Sequence, residues 1–256
     1  MYEVTPLERL RRFVGWGIVA AALLLGLSWW LKGRLPDPAR IRPESLPAPV
    51  QTATTRTPFS FVYKGHECRV QPVADYEITG VVVSHNNIHS IADIYHDATS
   101  VDTKDLCIVW GENIEDGRYL DVKFWSGPFT CYARWPAGVR FDMTAISNNH
   151  LITSDPEVRR TIGAVRIGDQ VRLRGLLVDY QMDDWEGFWR RTSTQRDDTV
   201  CEVFYVESVA IVEPATPGWY ALFGFARFLL VALPLLWVAL FTLQVRRGES
   251  VQVGRL

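Results

Sequence analysis

The sequence predicts a mainly β domain held between two membrane-spanning helices. Three observations carry that class. Residues 13–31 ("FVGWGIVAAALLLGLSWWL") and 228–245 ("FLLVALPLLWVALFTLQV") are uncharged apolar runs, each long enough as a helix to cross a hydrocarbon core of about 30 Å. Between them, short runs rich in Val, Ile, Phe, Tyr and Trp recur, bounded by Gly, Asp, Asn or Pro, which is how strands and their turns read. All four cysteines, Cys68, Cys107, Cys131 and Cys201, fall in that middle segment, as expected of an exported domain.

From the N-terminus, residues 1–12 form a tail carrying Arg9, Arg11 and Arg12. The first span, 13–31, reads as an uncleaved anchor, because Trp29, Trp30, Lys32 and Arg34 follow it where a signal peptide would place small residues. Residues 32–58 hold Pro36, Pro38, Pro43, Pro47, Pro49 and Pro58 and predict an extended stalk. The β domain spans 59–213. Its strand candidates are "FSFVYK", "YEITGVVVSH", "LCIVWG", "YLDVKFW", "FTCYARW", "QVRLRGLLVDY" and "CEVFYVESVAIV". One short helix is expected in "PEVRRTIGAV", capped by Asp155 and presenting Val158 and Ile162 on one face. Residues 214–227 predict an interfacial linker, with Trp219 and Tyr220 in an aromatic belt and Arg227 able to snorkel. The second span, 228–245, tolerates Pro234 in lipid, and 246–256 is a second tail with Arg246, Arg247 and Arg255. With two spans and basic tails, the positive-inside rule places both termini in the cytoplasm. The expected setting is a bacterial inner membrane with the central domain in the periplasm.

Charge narrows the function. Residues 33–217 carry 26 Asp and Glu against 19 Lys and Arg, a net of −7, while the remaining residues carry 3 against 8, a net of +5. An acidic domain lacks the Lys/Arg surplus that neutralises phosphates, so no nucleic-acid partner is expected. Four cysteines outside the spans suggest two disulfides, in any of three connectivities, with buried thiols or redox and metal work as alternatives. No CxxC pair is present.

The order of strands resembles the oligonucleotide/oligosaccharide-binding (OB) barrel. "YEITGVVVSHN" looks like its long first strand with Gly80 at the bend. "DLCIVWG" looks like the next strand, "IGDQVRLRGLLVDYQ" like the later Gly-Asp-led one, and "CEVFYVESVAIV" like the closing one. The resemblance implies a small OB-like β-barrel with inserts. Residues 124–150 have no fixed place in the five-strand plan and would cover one mouth. A second resemblance rests on "ADIYHD", "DLCIVWG", "FTCYARW", "SNNHLI", "GDQVRLRG" and "TSTQRDDTVCE". Together these are similar to a group of uncharacterised bacterial inner-membrane proteins, in which the last motif carries a Gly-rich insertion that Thr199-Val200-Cys201 lacks. That group implies placement and no activity.

Several residue groups can carry chemistry, each beside a plainer reading. His85, His89 and His96, with Asp93 nearby, can ligate a divalent metal, or can be surface-loop histidines. Ser147, Asn149 and His150 offer a Ser–His pair without a GxSxG elbow, while Asn148-Asn149 reads as a turn. Arg190, Arg191, Arg196 and Asp197, with Thr192, Ser193, Thr194 and Asp198, can bind an anion or a sugar, or form a charge-compensated loop. Asp183, Asp184 and Glu186 beside Trp185 and Trp189 resemble the furniture of a glycan cleft; an exposed loop explains them as well. Trp110, Trp125, Trp135, Phe124, Phe129 and Tyr132 fill the core and its lid, or dock a partner. The expected function is a membrane-anchored extracytoplasmic module that docks another membrane or periplasmic protein, with enzymatic activity left open as the lesser alternative. No cofactor is required, a divalent metal is the alternative, and self-association stays open. Rival readings are an envelope metal/redox protein or enzyme, and a glycan-binding module.

Overall fold

The computed structural model describes residues 5–86, 100–127, 130–196, 198 and 200–248. The chain forms two compact units. One joins residues 1–32 to 216–256, and the other is residues 33–215.

The first unit is a helix pair. Helix α1, Pro6–Leu31, is capped by Thr5, whose hydroxyl accepts from the Glu8 amide, with proline at its start where a missing N–H costs nothing. Helix α4 spans Pro217–Arg246 with Pro234 inside it. Both are long and apolar enough to cross a membrane. Phe13, Trp16, Leu23, Phe228, Val231 and Leu235 all point outward, as on helices whose apolar surface faces lipid. The two helices meet where Gly17 lets Leu233 approach; a Cβ there would lie 3.2 Å from Leu233 Cδ1. Arg11 lies over the Trp237 and Phe241 rings. The linker expected at 214–227 is different: from Pro217 onward it is the opening turns of α4, because no proline lies between Trp219 and Arg227 and the single Gly224 is too weak a breaker to end the helix.

The second unit is built on a seven-stranded sheet. Its strands are β1 (Val50–Ala53), β2 (Phe59–Tyr63), β3 (His66–Asn86), β4 (Asp102–Val109), β7 (Ile146–Ile152), β8 (Gln170–Met182) and β9 (Glu202–Glu213). A separate hairpin pairs β5 (Lys123–Gly127) with β6 (Thr130–Arg134). A one-turn helix α2, Glu112–Glu115, follows β4, and α3, Pro156–Ala164, joins β7 to β8. Strand pairing runs β3–β4–β7–β9–β8, and β8 pairs again with β3. Among the described strands only β7 and β9 run parallel.

β3 makes this possible. Its first half alternates buried and exposed residues, whereas Ile78 to Ser84 is buried on both faces, since it passes from a surface sheet into one covered on two sides. Gly80 sits at that passage. A Cβ there would lie 2.6 Å from the Val109 carbonyl oxygen, so only glycine allows β4 so close. Gly175 allows the matching approach of β9 at a register shift, where a Cβ would meet Tyr205 O at 2.1 Å. Inside, Ile78, Val82, Leu106, Ile108, Leu151, Leu173, Leu177 and Phe204 form one cluster with Val158 and Ile162 of α3. That helix is capped as its sequence predicts, with Asp155 Oδ1 accepting from the amides of Glu157 (2.7 Å) and Val158 (3.3 Å).

Two expectations change here. The Pro-rich stretch is no free stalk. Leu35, Ile41 and Leu46 pack on a cluster containing Val83, Val109, Ile114 and Tyr119, and β1 adds to the sheet beside β3. Gln170, fully buried, accepts from Arg42 N and Ser45 Oγ and donates to Arg40 O. Prolines set the local dihedrals, but three spaced aliphatic side chains need burial, and that decided the path. The expected insert 124–150 is likewise only partly an insert, since its end is the central strand β7.

Candidate binding cleft

β7 is where the unusual chemistry collects. "ISNNHLI" reads as a turn by its paired asparagines, yet it is a strand buried along nearly its whole length. Its backbone groups are taken by β4 on one edge and β9 on the other, and two ladders outweigh the turn preference of Asn. Alternation then places Ser147 and His150 on opposite faces, so these two do not form a Ser–His pair.

On one face, His150 lies between two carboxylates. Its Nε2 is 2.6 Å from Asp102 Oδ1 and its Nδ1 is 2.5 Å from Asp105 Oδ1, all three side chains being almost fully buried. Tyr180 donates its hydroxyl to the same Asp102 oxygen at 3.0 Å. Burial alone would lower the histidine's pKa, but the two carboxylates prevail together and hold it up at about 9. The ring is therefore an imidazolium with both nitrogens engaged. Lys104, in the same strand as both aspartates, buries its ammonium against the carbonyls of Val165 (2.5 Å) and Gly163 (3.4 Å) at the end of α3, where the helix dipole favours a cation. Burial, only partly offset by Asp169, brings its pKa down to about 8. This cluster holds structure together and leaves no open position for a substrate. Sequence reading missed it, although "VDTKDLCIVW" does carry its signal: three charges, Asp102, Lys104 and Asp105, lead without a turn residue into an apolar run patterned as a buried strand.

Next to Asn148 the surface opens into a cleft of about 170 Å³. It is lined by β6 (Thr130, Cys131, Ala133), the start of β7 (Ile146, Ser147, Asn148) with Met143, and the end of the β8–β9 loop from Gln195 to Glu202. Three motifs distant in sequence, "FTCYARW", "SNNHLI" and "TSTQRDDTVCE", thus meet at one place. Parallel pairing sets Glu202 beside Asn149. Arg196 reaches Glu202 with Nη1–Oε1 at 2.6 Å, its guanidinium over the rings of Tyr76 and Trp110 at 5.3 and 5.8 Å from their centroids. Burial raises the Glu202 pKa, against the pull of Ser147 and Arg196. Asp198 is fixed by the Ser193 hydroxyl and the Val200 amide. Asn148 donates from Nδ2 to Cys201 Sγ at 3.1 Å, while its Oδ1, on a residue 7% exposed, has no hydrogen-bond partner among the described residues. Met143 and Val200 stand exposed at the cleft.

The other sequence-predicted ligand residues lie elsewhere. Trp189 and Arg191 line a separate open hollow with Gln71 and Asp179, and Arg191 is committed to Asp179 at 2.9 Å. Arg190 pairs its backbone with Tyr180. Trp185 packs on Tyr180 and Phe188. Asp197 lies outside the described residues, as do Asp93, His89 and His96. His85 ends β3 opposite Leu106; burial, then Lys104, lowers its pKa to about 4 and keeps it neutral. The metal-competent group among the described residues is another one: His66, Asp183 and Asp184 bring ligand atoms within 4.8 Å of one another. They are solvent-facing, and Asp183 already accepts from His66 Nδ1 and the Glu67 amide.

The expected pair of disulfides is one. Cys107 and Cys131 are joined, tying the β5–β6 hairpin to β4. Cys68 and Cys201 are thiols, and burial is the main influence raising both pKa values, Cys68 to about 12. Neither is a reactive thiolate. Of the aromatics, Trp110 is buried in the core, whereas Trp125 stacks on Tyr132 on the outside of the hairpin. Comparison with family models, curated proteins and solved structures finds no match for the chain.

Proposed function

We propose that this chain is a membrane-anchored binding module that docks another envelope protein through the Arg196–Glu202 cleft. The observation that carries the reading is the cleft itself: separate segments converge on it, Ser147, Asn148 and Glu202 in it are buried, and Asn148 Oδ1 has no partner among the described residues. An unpaired buried acceptor is costly, and a bound group with a donor would offset that cost. The shape of the domain supports the OB-like reading. Strand pairing that returns from β8 to β3 supports closure of the sheet, as in a small barrel of that type. On this reading the module sits in the periplasm of a bacterial inner membrane, with both termini in the cytoplasm. Arg9, Arg11, Arg12, Arg246 and Arg247 at the helix ends support that orientation, and a disulfide in the domain supports an oxidising compartment.

The test is site-specific photo-cross-linking in native membranes, with a benzophenone side chain at position 200 in the cleft and, for comparison, at Phe188 outside it. Both positions are exposed. A discrete adduct from position 200 that is absent from 188 is the expected result. Adducts from neither position, or equally from both, would remove the cleft from consideration.

A further inference from the structure

The chemistry of the cleft says what kind of group enters it, an inference resting on the docking reading above. The cleft has one cation, Arg196, and two carboxylates, Asp198 and Glu202. Arg196 is neutralised by Glu202 at 2.6 Å, and its faces are turned to the Tyr76 and Trp110 rings. An incoming anion would find its only attractor occupied and would face the negative charge of Asp198 and Glu202. What the site has in surplus is acceptors: Asn148 Oδ1, on a residue more than nine-tenths buried, has no partner among the described residues, and the two carboxylates outnumber the guanidinium. Beside these stand the apolar surfaces of Met143 and Val200.

We propose that the cleft takes a Lys or Arg side chain of the partner protein, its aliphatic stem along Met143 and Val200 and its charged head donating to Asn148 Oδ1 and the Asp198–Glu202 carboxylates. Long basic side chains bury their stems on apolar surface in this way while their heads keep polar contacts, and charge-assisted hydrogen bonds are the stronger kind. A volume of about 170 Å³ suits one side chain rather than a folded element. The net charge of −7 over residues 33–217 favours approach of a basic partner.

The experiment uses the full chain in phosphatidylcholine nanodiscs and a fluorescein-labelled hexapeptide of alternating Lys and Ala. The same peptide with Glu for Lys, and spermidine, serve as comparators, with anisotropy as the readout. The Lys peptide is expected to bind, and Val200→Trp, which fills the cleft from its exposed side, and Glu202→Gln are each expected to weaken it at least tenfold. Val200→Trp leaves the buried pair intact, so loss of folding in Glu202→Gln does not spoil the test. Binding of the Glu peptide as well as the Lys peptide, binding of spermidine but no peptide, or Lys-peptide binding that survives Val200→Trp would each overturn the proposal. The photo-cross-linking above separates the two readings. An adduct at position 200 that the Lys peptide does not compete away refutes the basic-side-chain assignment and leaves docking standing, whereas no adduct refutes docking itself.

Discussion

The buried His150 imposes a pH dependence on stability whose shape follows from three groups. Its pKa of about 9 in the fold, against an ordinary value near 6.5, is worth about 3 kcal/mol at roughly 1.36 kcal/mol per unit. Because the folded value is the higher one, that stabilisation is complete below pH 6.5 and is lost as the pH rises through 9. Lys104 acts in the opposite sense. Its folded value of about 8 lies below 10.5, so the charged form costs the fold about 3 kcal/mol at lower pH, and the cost is relieved between 8 and 10.5. His85, lowered to about 4 from 6.5, costs stability when charged and is relieved between pH 4 and 6.5. Stability therefore rises to a maximum near pH 6.5, falls toward pH 8 to 9, and then partly recovers. Urea unfolding of the full-length protein in neutral detergent, followed by tryptophan fluorescence from pH 5.5 to 9.5, reads this curve. His150→Gln should lower the maximum by roughly 3–5 kcal/mol, since Asp102 and Asp105 lose their cation in a buried site, and should abolish the fall above pH 6.5. A flat wild-type curve over pH 6.5–9, or the same fall in His150→Gln, would refute the imidazolium assignment.

Lys104→Met should remove the recovery above pH 8 while leaving the fall on its acid side, measured in the same titration. Gly80→Ala forces a methyl against the Val109 carbonyl and Ile108 Cγ2, 2.6 and 2.7 Å from its ideal position; a loss of about 1–3 kcal/mol in denaturant midpoint is expected, and a neutral outcome would mean β4 is not held that close. Thiol titration in denaturant should count two reactive groups per chain, Cys68 and Cys201, rising to four after reduction. Opening the Cys107–Cys131 bridge, which closes a loop of 24 residues, should cost about 3 kcal/mol of stability.

How much of this was legible beforehand depended on whether the cause is local. The two long apolar helices were, because 19 and 18 uncharged residues in a row give the chain little choice but to form a helix. The α3 helix was, because Asp155, Pro156, Val158 and Ile162 stand at fixed offsets from one another. Gly80 was singled out for its bend, though only the fold shows that the Val109 carbonyl demands it. The packed path of residues 35–46 was hidden, since proline density speaks for an extended chain while Leu35, Ile41 and Leu46 find their cluster on strands far along the sequence. His150 was noticed and given the wrong companion: Ser147 is three residues away but on the other face, and Asp102 and Asp105 are forty-odd residues away but across one rung of sheet. Of the described loop residues expected to bind a ligand, Arg196 and Asp198 reach the cleft. Arg191 and Trp189 face another hollow, because a loop of nineteen residues does not present its charges in a single direction.

The length of β3 has a consequence for how the domain is made. Tyr76 pairs with Gly175, about 100 residues later, so at a synthesis rate of roughly 5–20 residues per second the strand waits on the order of 5–20 s for its partner. During that interval an edge that will later be covered is open to any other chain. Glu67, Arg69, Asp75 and Glu77 punctuate its first half, and charges spaced along an unpaired edge are what discourages a stray strand from adding there. Residues that look incidental in the finished sheet would then have their main effect before it exists, and neutralising them would show first in the yield of folded protein and only secondarily in its stability.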